Sequence, residues 1–401
     1  MSALSGEELD LLETIERAPI LDRTLDWAAI NSGTGNLDGL AAMADRLAHA
    51  FAALPGEVRL VDPAPVEKVD SKGHLREVGH GRHLVLSVRP EADHRVILTG
   101  HMDTVYAREH PFQSCTWLDA DTLNGPGTAD MKGGLSLMLA GLLAFEHGTP
   151  MMGYDVLINS DEETGSLSSA ALIAQLAQGK LAALTYEPGL PDGSMARARP
   201  GSGNYAAVVT GLSAHAGRNP QDGRNAVLAA SDLALRLAAG IRDGLTINPA
   251  RIEGGAPNNT VPDLAILHFN LRPRSPELAE IARALVEAAV AEVSAVHDVH
   301  IHLHGHVSRP PKPITPKTEA LFGLVSKAAA DLGQPMRWQD TGGVCDGNNI
   351  AACGVPVLDT MGALGGLIHS PQEFMIASSL DARARLTALV LHRLDRGALH
   401  A

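Results

Sequence analysis

The chain has 401 residues, above the size at which one hydrophobic core usually stops growing, so two or more domains are expected. Hydrophobic residues at 45% and charged residues at 19% describe a soluble globular protein, and aromatics at 3% mean that its cores are mainly Ala, Leu, Val and Ile. A formal charge of −14 without a Lys/Arg run argues against nucleic acid or an anionic membrane as a partner. The scattered Cys115, Cys345 and Cys353 argue against a disulfide framework or a thiolate zinc module and fit a reducing compartment. Residues 1–8 are acidic, with no basic segment leading into an apolar one, and no 18-residue apolar run occurs; a cytoplasmic protein is expected.

Apolar periodicity predicts helices over 6–17 and 37–54, the second with Leu40, Met43, Leu47 and Phe51 on one face. Strands and helices then alternate. Short β-branched runs at 83–88 and 95–99 precede a helix over 131–145, a strand over 154–159, a helix over 166–176 and a strand over 181–186. That is an α/β pattern, which places ligands at strand C-termini. From about Arg199 the texture changes to strands at 205–210, within 264–271 and at 299–304, with helices near 226–239 and over 277–293, as in a small α+β layer inserted into the first domain. Arg309-Pro310-Pro311-Lys312-Pro313 reads as the return linker. A helix over 318–332, a strand near 355–359 and a last helix over 379–394 follow. The expected organisation is a catalytic domain over 1–198 and 312–401 with an inserted domain at 199–311.

Chemistry concentrates where the hydrophobic runs end. Leu98-Thr99-Gly100-His101-Met102-Asp103 carries a histidine and an aspartate two apart, and Asp130, Asp161-Glu162-Glu163 and Glu187 put carboxylates at comparable positions; His369 adds a late histidine. Imidazole nitrogens and carboxylate oxygens without thiolates suit zinc, cobalt or manganese. Two histidines and three carboxylates exceed what one tetrahedral ion needs, whereas two ions about 3.5 to 4 Å apart and sharing Asp130 would use all five. Of the adjacent Glu162 and Glu163, one can bind metal while the other serves as general base. Asp103 is then placed to bond the far nitrogen of His101 and fix its tautomer.

These segments, His101-x-Asp103, Gly125-x-Gly127 to Asp130-x-Lys132-Gly133-Gly134, Asp161-Glu162-Glu163-x-Gly165, Glu187-Pro188 and His369, resemble the M20 metallopeptidase family, most closely its glutamate carboxypeptidase (carboxypeptidase G2-like) branch. The likeness runs from Ser32-Gly33-Thr34-Gly35-Asn36 to the last helix. It implies a zinc-peptidase-like mixed sheet flanked by helices, with a smaller α+β lid and dimerisation domain inserted. It also implies two zinc ions, one held by His101, Asp130 and Glu187 and the other by Asp130, Glu163 and His369, with Glu162 as general base and Asp103 as the orienting acid. A non-proline cis peptide after Asp130 is part of the same expectation.

In the inserted layer Ser213-Ala214-His215-Ala216-Gly217 is similar to the family's histidine motif, which implies that His215 reaches the partner subunit's site of a homodimer and polarises the scissile carbonyl. Gly254 to Pro262 resembles its Asn-x-Val-Pro turn, with Asn259 contacting substrate. Arg272 and Arg309 are candidates for gripping a substrate carboxylate, since a guanidinium meets it with two parallel hydrogen bonds. Thr341 to Gly347 resembles a Gly-rich substrate loop and includes Gly343, with Cys345 where relatives commonly carry Ser or Thr. The expected activity is hydrolysis of an amide in a small peptide or N-acyl amino acid to release a C-terminal amino acid, glutamate being favoured by two arginines. The alternatives are an N-acyl-amino-acid deacylase of aminoacylase or desuccinylase type and, more remotely, a metal-binding protein without chemistry.

Overall fold

The structure, a computed structural model, describes residues 4–334 and 336–399. Its main sheet is six-stranded and mixed, in the order Glu57–Val61, His83–Val88, Gly153–Asn159, Arg95–His101, Ala182–Thr185, Val357–Leu358. The last four run parallel to one another, while His83–Val88 is antiparallel both to Gly153–Asn159 and to Glu57–Val61. Gly153–Asn159 is buried at every position, as a central strand covered on both faces must be. Alternation splits the core accordingly: Leu84, Leu86 and Leu98 face the large cluster with helices Leu37–Phe51, Gly133–His147 and Ser379–Asp395, whereas Val85, Ile97 and Leu157 face a smaller one with Ile173, Ile350 and Val357.

Helix Gly133–His147 is apolar almost all round and accordingly buried. Its start departs from the expected 131: residues Thr128–Lys132 form a π turn with non-helical backbone at Asp130 and Met131, and the peptide between those two is cis. Gly134 lets this helix approach the neighbouring segment, since a Cβ there would lie 2.2 Å from the Tyr186 carbonyl oxygen. The helix predicted over 6–17 ends at Glu13, and a second helix that the sequence reading did not include follows at Arg17–Ala28. Ser5 caps the former through a capping box, and the latter has no such cap and a Pro in its first turn.

Between the parallel strands and the last third of the chain lies a second layer. Four antiparallel strands, in the order Leu245–Gly254, Leu264–Pro273, Ser202–Thr210, His300–Arg309, carry helices Ala226–Ala239 and Pro276–His297 on one face. Ala207, Val209, Leu267, Phe269 and Leu271 point to those helices and form a separate core. Leu245–Gly254 gave no clear signal in the sequence because it holds Pro249 and several charges, which an edge strand tolerates, and its register shifts at Pro249/Arg251. The expected linker is also different from expectation. Arg309 closes a strand and, like Lys312, is buried, and the two chain crossings are tied by an antiparallel bridge between Arg199 and Lys312. Among the described residues, no helix is long and apolar enough to cross a membrane.

Candidate metal centre and substrate cavity

The carboxyl ends of the parallel strands converge on one crevice, the usual ligand position in such a sheet. His101 ends its strand, Glu162–Thr164 is a 3₁₀ turn just after Gly153–Asn159, and Glu187 follows Ala182–Thr185. His369 comes from a turn after the short strand Gly365–Gly366 and stands at φ 61, a left-handed conformation that histidine adopts more readily than bulkier residues.

The side chains meet in two groups that share Asp130. One carboxylate oxygen of Asp130 lies 3.1 Å from His101 Nε2, which is itself 3.9 Å from Glu187; the other oxygen lies 3.3 Å from His369 Nε2, which is 3.1 Å from Glu163. In each group the ligand atoms lie within 4.8 Å of one another. The electrostatics are those of a cluster with too many anions. Burial and then Asp130 push Glu163 up to about 8, and burial and Glu162 push Glu187 well above the carboxylate range. Hydrogen bonds to Asp130 and Glu163 carry His369 up to about 11. For His101, burial opposes the charged form, but Asp103 and Asp130 outweigh it and raise the imidazole well above its ordinary value. Divalent cations would relieve both kinds of shift at once, so the donor set fits two such ions.

Asp103 does more than the sequence suggested. Its carboxylate accepts the backbone N–H groups of Glu162 and Glu163 at 3.1 and 3.2 Å and the hydroxyl of Thr34 at 2.8 Å. With its oxygens so engaged, the carboxylate stays 3.5 Å from His101 Nδ1, and the Asp103 carbonyl oxygen is the nearer partner at 3.0 Å. One residue therefore orients a candidate ligand histidine and the turn that carries both adjacent glutamates.

A cavity of about 600 Å³ opens onto this cluster and runs under the inserted layer, lined by Glu162, Glu163, Glu187, Arg199, Asn270, Arg272, Gly343 and His369 among others. Arg272 reaches it from strand Leu264–Pro273, bracing its guanidinium on Asn270 Oδ1 and the Gly342 carbonyl, both at 3.1 Å. Arg309 lines the same cavity. Its guanidinium pairs with the Glu162 carboxylate and donates to the Glu162 carbonyl at 2.9 Å and to Ser166 at 2.8 Å, which leaves it committed to the candidate base. Arg199, which is not among the substrate-contact residues expected from the sequence, is a further arginine there. Its Nε donates to Asp359 at 2.7 Å while the residue lines the cavity. The Arg197-Ala198-Arg199 pair of cations at the expected domain boundary was the available signal.

His215 and Asn259 lie together on a short ribbon between residues 199 and 311, with the Ala216 N–H bonded to the Asn259 carbonyl, and neither lines the cavity. The backbone N–H groups of Gly217 and Arg218 both donate to His215 Nδ1 at 3.1 Å, so its ring proton sits on Nε2 and the exposed side chain is a donor there. Cys345 is buried, caps helix Asp346–Ala352 and lies 3.3 Å from Asp359.

The model of Peptidase family M20/M25/M40 matches residues 97–393. Carboxypeptidase G2 of Pseudomonas sp. (strain RS-16) is 29% identical over 396 residues, covering 95% of this chain and 91% of that protein. A succinyl-diaminopimelate desuccinylase of Methylorubrum populi is 29% identical over 330 residues, covering 75% and 82%. Among solved structures, a tripeptidase from Staphylococcus aureus superposes with a TM-score of 0.74 at 22% identity, covering 96% of this chain and all of that one, and so shares the fold. With the family model spanning most of its length, including all five candidate ligands, the chain belongs to Peptidase family M20/M25/M40 and is a hydrolase of that family.

Proposed function

We propose that the protein is a dinuclear zinc carboxypeptidase that releases a C-terminal amino acid bearing a free α-carboxylate, glutamate preferred, from a small peptide or acyl conjugate. The observation that carries this reading is the composition of one cavity, in which two candidate ion sites and Glu162 share a space with Arg199 and Arg272. Zinc, or cobalt or manganese in its place, would be held by His101, Asp130 and Glu187 and by Asp130, Glu163 and His369, and when bound would polarise the scissile carbonyl and acidify water. Glu162 takes the proton from the attacking water and returns it to the leaving amine. Asp103 and Arg309 hold that glutamate in register, through its N–H and through its carboxylate and carbonyl. Arg272, and Arg199 beside it, meet the carboxylates of the departing amino acid, with Gly343 as a further contact and Asn259, which lies with His215 outside its own cavity, reaching the substrate across a homodimer.

His215 completes the site across a homodimer formed by the inserted layer, 199–311, donating from Nε2 to the carbonyl oxygen as negative charge builds there; such a donor contributes about 3 to 4 kcal/mol. This accounts for a histidine whose tautomer is fixed yet which stands outside its own cavity. Mixing tests it: Glu162→Gln and His215→Ala homodimers, each inactive, should regain turnover when their subunits exchange, and no recovery would place His215 in its own site or in none.

The second reading, an N-acyl-amino-acid deacylase, is favoured by the presence of two arginines, since one could hold a carboxylate on the acyl side, and by the desuccinylase relatives. The deciding experiment is release of free amino acid from a panel of dipeptides, N-acyl glutamates and N-succinyl amines, with zinc, with cobalt and after chelation. Metal-dependent release governed by the terminal residue supports the carboxypeptidase; release governed by the acyl group supports the deacylase.

A further inference from the structure

We propose that Glu373, which lies outside both ligand groups, is the positioning residue that sets Asp130 between the two ion sites. The proposal rests on the dinuclear reading above. Glu373 is 1% exposed, and its two carboxylate oxygens receive four donors. Oε1 accepts the backbone N–H groups of Ala129 and Asp130 at 3.0 and 3.1 Å; Oε2 accepts that of Gly127 at 3.1 Å and lies 2.8 Å from the Tyr106 hydroxyl. Those three amides belong to the start of the turn that carries Asp130, where the helical ladder leaves backbone N–H groups without an acceptor.

The carboxylate supplies that acceptor. An ionised carboxylate has acceptor capacity for four donors, which a neutral amide lacks. Glu373 also anchors itself from behind, since its carbonyl accepts from the Asn124 side chain at 2.7 Å and from the Gly125 N–H at 3.3 Å.

Position in the chain makes this more than a loop contact. Glu373 follows His369 by four residues, and His369 Nε2 lies 3.3 Å from Asp130 Oδ2. One short segment, 369–373, therefore reaches Asp130 from both sides, by its side chain through His369 and by its backbone through Glu373. Tyr106 closes the segment on itself, its hydroxyl lying 2.8 Å from the Ser370 carbonyl as well. A displacement of Glu373 moves Asp130 relative to both histidines at once, which is the distance that two ions sharing one carboxylate depend on.

Glutamine at this position keeps one acceptor oxygen and turns an NH₂ toward two of the donors, at little change in volume. Full-length wild-type and Glu373→Gln proteins, stripped of metal, would be titrated with Zn²⁺ against a competing chelator and with Co²⁺ followed by absorption and by electron paramagnetic resonance. The expected result is two ions for the wild type, with the first retained in the variant and the second bound about 10- to 100-fold more weakly, the Co²⁺–Co²⁺ spin coupling lost, and kcat lowered at constant KM. Equal affinity for both ions and an unchanged coupling signal in the variant would overturn the positioning role while leaving the dinuclear reading intact. A wild type that binds fewer than two ions removes the dinuclear reading and this proposal with it. Should the Gln variant not fold, Tyr106→Phe decides, because it withdraws one donor and deletes no charge: a weakened second site supports the role, and an unchanged one overturns it.

Discussion

Asp130 and Asp359 are both buried, both stand beside the same cavity, and both are held well below the usual carboxylate range, yet they reach that state by opposite means. Burial opposes ionisation at each. At Asp359 the chain supplies the counter-charge itself: Arg199 at 2.7 Å, Lys312 at 3.0 Å and the Thr185 hydroxyl at 2.7 Å. At Asp130 the partners are only His101 and His369, and two more carboxylates crowd in. The first cluster is complete, two cations on one anion, and it pins the two crossings between the layers, since Arg199 and Lys312 also pair through their backbones. The second leaves an excess of anions that the two proposed ions would balance. A buried carboxylate belongs to the fold when its cations are covalently part of the chain and to the function when they are not.

Three substitutions break the comparison with effects that separate in kind. Glu162→Gln should lower turnover by about 10² to 10⁴-fold with metal content unchanged, because it removes proton transfer and belongs to neither ligand group; metal analysis alongside steady-state kinetics reads both. Asp359→Asn leaves two buried cations facing a neutral group and should cost about 3 to 5 kcal/mol of stability, equally in metal-free and metal-loaded protein, read as a fall in denaturation midpoint. If the loss appeared only in the loaded form, Asp359 would be part of the ion site. Saturating the wild type with zinc at a hundred times its dissociation constant should add about 2.7 kcal/mol per ion, and Asp130→Asn should abolish that gain, read against the variant's own metal-free midpoint, since the substitution also takes a charged partner from His101 and His369.

The two clusters also differ in how far the sequence disclosed them. His101, Glu162, Glu163 and Glu187 were legible because each sits in a short polar motif where an apolar strand of the main sheet stops, and strand ends in such a sheet face one crevice, whereas Asp130, in the turn before helix Gly133–His147, and His369, in a turn after Gly365–Gly366, were legible from their motifs alone. Nothing local marks Asp359, Arg199 and Lys312 as partners, which are brought together only by the fold and carry no spacing to read. Glu373 was hidden for a related reason, since its donors are backbone amides that any residue could have offered. The helices with a strong apolar stripe, such as Leu37–Phe51, emerged within a few residues of their observed ends. Helix Arg17–Ala28 did not, because Asp22, Arg23 and Asp26 interrupt its stripe and it merges in pattern with the helix before it.

The smallest effect sharpens the contrast furthest, because it turns on the sign of a pH dependence. Asp359 has a depressed value in the folded state, so its contribution is complete above the unfolded carboxylate range near 4 and is lost only as pH falls below it; from pH 5 to 9 it is inert. His369, raised to about 11, contributes stability that is full below its unfolded value near 6.5 and drains away as pH rises toward 11. Glu163, raised to about 8, works in the same direction, because the folded state holds a proton that the unfolded state has released between about 4.5 and 8. Metal-free protein should therefore melt at a higher temperature at pH 6 than at pH 9. Bound ions demand neutral imidazoles and ionised carboxylates, so metal uptake expels those protons and the stabilisation by a fixed free zinc concentration should grow with pH over the same range. Of two melting curves against pH in wild type, the one with chelator should fall from pH 7 to 9 while the one with buffered zinc stays level, and the two should run parallel in Asp130→Asn. Parallel curves in wild type would mean that the histidines and carboxylates of this cluster are not where the ions bind.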